Sequence, residues 1–332
     1  MRLGKEVDVP WETVGSADNA VEALGRSWSS LGLVGVVAAG FTEDGAGEVF
    51  KVAGGYRDLA AACPMSVDDR QLVGSISKLV TANAVLQLIG RDEIGLDVSA
   101  NTYLATVRLA DDGVTIRHLL THTGGVLSDF GHFVDVVHPL AEVLGSVVPV
   151  DFEPGSRLVY SNAGYAVLGE VAAQVIGLAV ETVLEELVLK PLGMARSRFE
   201  LSWPDDVGPG YDVDDAAATP VPRAVPCVSA AGGLSSTTAD LGRLVAGWET
   251  LLEPELAKEA GRVHASNGAR RQGFGWAIDE TDGRRVLWHG GGVRGFTASL
   301  QWDPDRHAVS TVVFNRQANP GPLNSELLRS LP

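Results

Sequence analysis

Residues 72–90 read LVGSISKLVTANAVLQLIG, and their spacing predicts the helix around which the chain is organised. Ile76, Leu79, Val80, Val85, Leu86 and Ile89 recur at intervals suited to one side of a 3.6-residue helix. A polar segment, 66–71, precedes the run, and Arg91-Asp92-Glu93 ends it. Ser75 falls where the helix begins and Lys78 lies one turn in, so their side chains share a face. A hydroxyl at that place is close to unpaired N–H groups and to the positive end of the backbone dipoles. An amine one turn on can take its proton if desolvation or a neighbouring cation keeps that amine partly neutral. Taken alone, the pair reads more often as an N-cap beside the snorkelling edge of an ordinary amphipathic helix, since Ser-x-x-Lys turns up by chance in many proteins.

Outward from this helix the texture differs by region. Towards the N-terminus, residues 17–31 carry Val21, Leu24 and Trp28 on one helical face, with Gly32 as a stop. The valine-rich runs 33–41 and 48–53, joined by the polar link TEDGAG, read as a hairpin, and Gly54-Gly55-Tyr56 ends its second strand. Beyond Arg91 the pattern is mostly helical, with a short turn at 116–120 and longer helices at 162–177 and 179–189. Residues 126–150 read as short helix and loop, and 201–226 as a long loop. The aspartates of that second loop, Asp205, Asp206, Asp212, Asp214 and Asp215, lack the alternate-position pattern of a calcium loop and read as a solvated face. The last third returns to strands at 271–278, 285–289, 296–302 and 308–315, after a helix capped by Thr237 and Asp240 and before a closing helix at 323–330. Strands at both ends with helices between predict an α/β protein of the α+β type. Residues 1–72 and 225–332 would form an antiparallel sheet domain flanked by helices, and 73–224 an inserted, mostly helical domain, with the active site at their junction.

Composition narrows the function classes. Of 332 residues, 45% are hydrophobic and 20% charged, which describes a folded chain with a sizeable core. Lysine plus arginine number 26 against 42 aspartate plus glutamate, a formal charge of −16, so nucleic acid and anionic membrane surfaces are poor partners. Two distant cysteines, Cys63 and Cys227, rule out a disulfide scaffold without settling whether they pair. The first residues, MRLGKEVDVPWETVG, show no export signal, and no stretch has the apolar length to cross a bilayer, so a cytoplasmic location is expected. His118, His132, His138, His264 and His307 show no zinc spacing, and no glycine loop cradles a phosphate, so neither a metal nor a cofactor is expected.

Three local features stand in one order: Ser75-Ile76-Ser77-Lys78, then Tyr160-Ser161-Asn162 before a helix, then His289-Gly290-Gly291-Gly292 at a strand end. With the flanking phrases VGSISKL, IRHLLTHTGG, PGSRLVYSNAGYAVLG, PLGM, AAGGLSSTTADLGRL, GFGWAI, WHGGGVRGF and VVFN, the chain resembles the serine beta-lactamase and penicillin-binding-protein superfamily from about Gly32 to Asn315. The likeness is to the class C beta-lactamase branch with its D-alanyl-D-alanine carboxypeptidase, D-aminopeptidase and esterase relatives. The resemblance implies that Ser75 is the nucleophile, that Lys78 helps to activate it, and that Tyr160 relays the proton. It further implies that Asn162 bonds Lys78 and the acyl side of the substrate, and that the N–H groups of Ser75 and Gly292 form the oxyanion hole. Gly290 and Gly291, with Gly292, would let the strand edge approach substrate. The tyrosine, with an intrinsic pKa near 10, needs nearby cationic character to act as a base.

Best-known members have lysine where this chain has His289, with threonine after it. An imidazole is charged only part of the time near neutral pH. Efficient hydrolysis of carboxylate-bearing penicillins and cephalosporins is therefore disfavoured, leaving His289 to steady Tyr160 or to bind a neutral substrate. His122 reads as a hydrogen-bonding residue of a structural turn. The leading expectation is a serine hydrolase acting on a small-molecule ester or amide. The alternatives are a transacylase with an amine or alcohol acceptor, a beta-lactamase or D-amino-acid peptidase, and a non-catalytic binding protein of the same fold. The sequence leaves oligomeric state open.

Overall fold

The computed structural model describes residues 9–126, 133–134, 136–214, 217–268, 270–281 and 283–332. Its main sheet is ten-stranded and antiparallel. In chain order the strands are β1 (Trp11–Gly15), β2 (Gly35–Thr42), β3 (Gly47–Asp58), β4 (Ala265–Ser266), β5 (Arg271–Gln272), β6 (Ala277–Thr281), β7 (Arg284–Val293), β8 (Phe296–Asp303) and β9 (Ala308–Phe314), with Cys63–Pro64 added against β3. Their spatial order is β1-β3-β2-β9-β8-β7-β6-β5-β4, so β2 from the start of the chain lies beside β9 from its end. The sheet is thus completed by both termini.

The helices are α1 (Asp18–Leu31), α2 (Ser77–Gly90), α3 (Ile116–Leu120), α4 (Leu140–Leu144), α5 (Asn162–Ile176), α6 (Val180–Leu184), α7 (Ser229–Gly232), α8 (Thr238–Ala246), α9 (Pro254–Ala260) and α10 (Gly321–Ser330). Alternation along β2 divides them between two layers. Val36 and Ala38 pack with Leu24 of α1 and Leu327 of α10. Ala39 and Phe41 point the other way, into the larger core with Leu79 of α2 and Leu241 of α8. Gly32 ends α1 with φ 56°, and the next N–H, of Leu33, bonds back to Trp28 O.

Several boundaries differ from expectation, each for a local reason. Helix α2 is buried on every side from Ser77 to Leu88 rather than along one stripe, because it packs against α5 and α7 and shares a core with Phe41 of β2 and Leu300 of β8. Strand β3 does not stop at Gly54-Gly55-Tyr56 but continues to Asp58; Gly55, at φ 79°, bends it so that Tyr56 pairs with Pro64. The expected strand 271–278 is two short ones, broken where Gly275 takes φ 84°. Strand β7 runs past His289 through all three glycines to Val293. The expected helix 179–189 is α6 followed by a π-turn, Glu185–Leu189. The loop 201–226 contains a small hairpin, Tyr211–Val213 against Ala218–Pro220. Its described aspartates, Asp205, Asp206, Asp212 and Asp214, are exposed as expected, and Asp206 also pairs with Arg70 and Arg198. Asp215, His132, Asp282 and part of 126–150 lie outside the described residues. No disulfide joins Cys63 to Cys227.

Candidate active site

Ser75 sits in a single 3₁₀ turn, Gly74–Ile76, that leads into α2. From Arg70 to Leu88 it is the one residue that is not buried. Two glycines from distant parts of the chain make room for this turn. Gly74 has φ 53°, and a Cβ on it would lie 2.7 Å from Gly292 N; a Cβ on Gly291 would lie 1.9 Å from Val73 O. Gly290 and Gly292 carry no such crowding, so close approach requires Gly291 and, unforeseen, Gly74, rather than the whole triplet. Ser77 pins the turn: its Oγ donates to Gly74 O (2.6 Å) and accepts from Leu234 N–H (2.9 Å). Strand β6 stops pairing with β7 at Trp288, while β8 pairs with it as far as Val293. One edge of the segment 289–293 is therefore left towards the Ser75 turn.

Lys78 is completely buried, and no carboxylate among the described residues pairs with it. Its Nζ lies 3.1 Å from Ser75 Oγ, 2.7 Å from Asn162 Oδ1 and 2.6 Å from Ala231 O. Asn162 begins α5, behind Ser161, whose Oγ caps that helix by accepting from Gly164 N–H. The Ala231 carbonyl comes from α7, a partner that no sequence motif advertises. Burial pushes the Lys78 amine well below its ordinary range, and the nearby Arg270 charge adds to the effect.

Tyr160 precedes α5, and its hydroxyl shares a hydrogen bond with Ser75. Lys78 Nζ is 5.0 Å from its ring centroid and Arg270 Cζ 4.8 Å. The Arg270 charge does not make it a resting phenolate. Burial outweighs both the Ser75 bond and the Arg270 charge, pushing the phenol up to about 12. His122 holds the backbone on either side of Tyr160: its carbonyl accepts from Val159 N–H (2.9 Å) and its Nδ1 from Ser161 N–H (3.1 Å). It does so from a left-handed conformation, φ 58°, with its ring 4.5 Å from that of Tyr160.

His289 is 2% exposed, its Nδ1 donates to Gly290 O (2.7 Å), and its ring centroid is 6.4 Å from that of Tyr160. Burial first, then the Lys78 and Arg270 charges, push it down to about 3. It is neutral at neutral pH rather than partly charged. Arg270 itself was not foreseen. It lies in a turn before β5 with nothing in its neighbours to mark it, and only the fold carries it to Tyr160.

The structure therefore brings Ser75, Lys78, Tyr160 and Asn162 into one cluster, with Gly291 and Gly292 against the Ser75 turn and His289 behind Tyr160. Comparison with known proteins shows what the chain as a whole is similar to. The chain is 26% identical over 290 residues to a D-aminopeptidase of Brucella anthropi, a match spanning 80% of this chain and 54% of that protein. In three dimensions it resembles an octameric penicillin-binding protein homologue from Pyrococcus abyssi (24% identity, 94% of this chain and 76% of that one, TM-score 0.83). It also resembles a D-stereospecific amidohydrolase from Streptomyces sp. (25% identity, 94% and 98%, TM-score 0.77). Residues 19–330 match the family described as Beta-lactamase, and the chain belongs to that family.

Proposed function

We propose that this protein is a serine hydrolase that cleaves an ester or amide bond of a small molecule through an acyl-enzyme on Ser75. The observation that carries this is the set of partners around Lys78 Nζ. A neutral amine has two N–H groups and one lone pair. Around Nζ are two pure acceptors, Asn162 Oδ1 and Ala231 O, and one hydroxyl that can donate, Ser75 Oγ. Asn162 and Ala231 take the two N–H groups, and the lone pair is left facing the Ser75 proton.

In the reaction, the Ser75 Oγ–H proton passes to Nζ as Oγ bonds to the substrate carbonyl carbon. The oxyanion is held by the N–H groups of Ser75 and Gly292. Tyr160, protonated at rest, gives its proton to the leaving nitrogen or oxygen as the C–N or C–O bond breaks, and regains one from the Lys78 ammonium. Water then cleaves the ester on Ser75 with the proton flow reversed, and an amine or alcohol admitted in its place gives acyl transfer. His289, neutral, supplies no charge for a substrate carboxylate at the strand edge, so little turnover of a chromogenic cephalosporin such as nitrocefin is expected.

A fluorophosphonate probe tests the assignment. Labelling of the intact protein should be lost in Ser75→Ala, and unchanged labelling in that variant would remove Ser75 from the mechanism. Product partition with an added amine or alcohol separates hydrolysis from transacylation.

A further inference from the structure

Arg270 is a cation without a counter-charge inside this cluster. Its backbone N–H donates to Asn267 Oδ1 (3.0 Å), and Asn267 Nδ2 donates to Leu158 O (3.4 Å), which ties the turn to the segment leading into Tyr160. Its Nε donates to Gln272 Oε1 (3.0 Å). Gln272 is itself fully buried and fixed through Nε2 to Gly273 O (3.1 Å) and Trp276 O (2.9 Å). The guanidinium is thus held at one nitrogen and laid over the Tyr160 ring. Neither Nη group meets an acceptor among the described residues, and no carboxylate among them forms an ion pair with it. Arg57, Arg70, Arg117 and Arg198 all have such partners. Asp279 in β6 acts on Arg270 only through space.

Helping to keep the Lys78 amine neutral calls for a charge nearby but not for two Nη groups without acceptors. Leaving a partly buried guanidinium unpaired is costly, and in a chain of net charge −16 carboxylates to pair it are plentiful. A carboxylate delivered by substrate would satisfy both Nη groups at once, in the parallel two-bond geometry that suits arginine. Its position indicates which part of the substrate is involved. Arg270 lies on Tyr160, the group that hands a proton to the leaving atom, so what is attached to that atom extends towards the guanidinium.

We propose that Arg270 is a specificity-determining residue that selects esters or amides whose leaving group carries a carboxylate. This rests on the acyl-enzyme assignment for Ser75. The anion is held from the face of Tyr160, not from position 289 on the strand edge. The same field opposes a free ammonium group beside the scissile bond.

The experiment compares 3-carboxyphenyl acetate with its neutral match, 3-carbamoylphenyl acetate. Wild-type kcat/KM should favour the carboxylate by about tenfold or more. Arg270→Gln should bring the ratio near one, and Arg270→Lys should keep part of it, with thermal melts showing both variants folded. Equal rates in the wild type, or a preference that survives Arg270→Gln, would overturn the proposal. So would a charge preference confined to the acyl side, read with monophenyl succinate against phenyl butanoate. Calorimetry on Ser75→Ala protein with 3-hydroxybenzoate and 3-hydroxybenzamide needs no chemistry and separates this proposal from the acyl-enzyme one. Tighter benzoate binding that disappears in Ser75→Ala/Arg270→Gln supports Arg270 even if Ser75 proves not to be the nucleophile; equal binding of the two sinks it.

Discussion

Arg70 and Lys78 are buried cations close together in the sequence, and the fold treats them in opposite ways. Arg70 reaches Glu200, Asp206 and the Ser235 hydroxyl, with its side chain 3% exposed. Its charge is fully answered, so it is fixed as a cation and ties the segment before Ser75 to Glu200, Asp206 and Ser235. Lys78 is buried as deeply but is offered only a carbonyl, an amide oxygen and a hydroxyl. Water has been removed and no anion returned, so the neutral form is the stable one. A buried cation with counter-charges is structural, and one with neutral acceptors suits the base proposed for Lys78.

The largest effect expected from breaking this contrast is on chemistry. Lys78→Met should slow Ser75-dependent labelling and hydrolysis by about 10²–10⁴-fold, while the melting temperature holds or rises because a desolvated amine is gone. An unchanged labelling rate would mean that the amine is not the base. The unfolded lysine binds a proton up to about pH 10.5 and the folded one does not, so wild-type stability should rise with pH from the lowered value towards 10.5. Melts across that window should show the slope in wild type and its loss in Lys78→Met.

Arg70→Met should act on stability instead. Leaving Glu200, 8% exposed at its side chain, without its buried partner costs roughly 3–5 kcal/mol. Urea titration measures the loss, and kcat/KM per folded molecule should be nearly unchanged. A selective loss of kcat would make Arg70 part of the catalytic apparatus.

Asn162→Asp turns one kind of cation into the other, by placing an anion 2.7 Å from Nζ. A close opposite charge raises an amine's pKa by about 1–3 units. The rising limb of the pH–rate profile should move alkaline by that amount, since Lys78 must be deprotonated to act. A profile that does not move would show that the limb belongs to another group. The smallest effect belongs to the outer edge of the Arg70 network. Arg198 bonds Glu200 and Asp206 but is 53% exposed, so Arg198→Ala should change stability by no more than about 1 kcal/mol.

Much of this was legible beforehand, where it depended on neighbours along the chain. Helix α1 and its glycine stop, the β2–β3 pair and the Thr237-capped α8 follow from local periodicity and capping. The β1 edge strand was not, because WETVG is mostly exposed and carries no buried face to pattern it. Asp206 is exposed, as its place among loop aspartates suggests, but its pairing with Arg70 is made only by the fold.

At the site, the sequence by itself supplied the candidates, through the order of three motifs and the family they resemble: a serine one turn ahead of a lysine, a tyrosine and asparagine opening a helix, and glycines on a late strand. Which of those glycines is sterically required, that Ala231 O completes the Lys78 shell, that His289 is neutral and that Arg270 lies over Tyr160 were decided only by the tertiary structure. Protonation and close approach depend on what burial removes and on which distant atoms replace it. Those are properties of the packed interior, which a linear pattern does not carry.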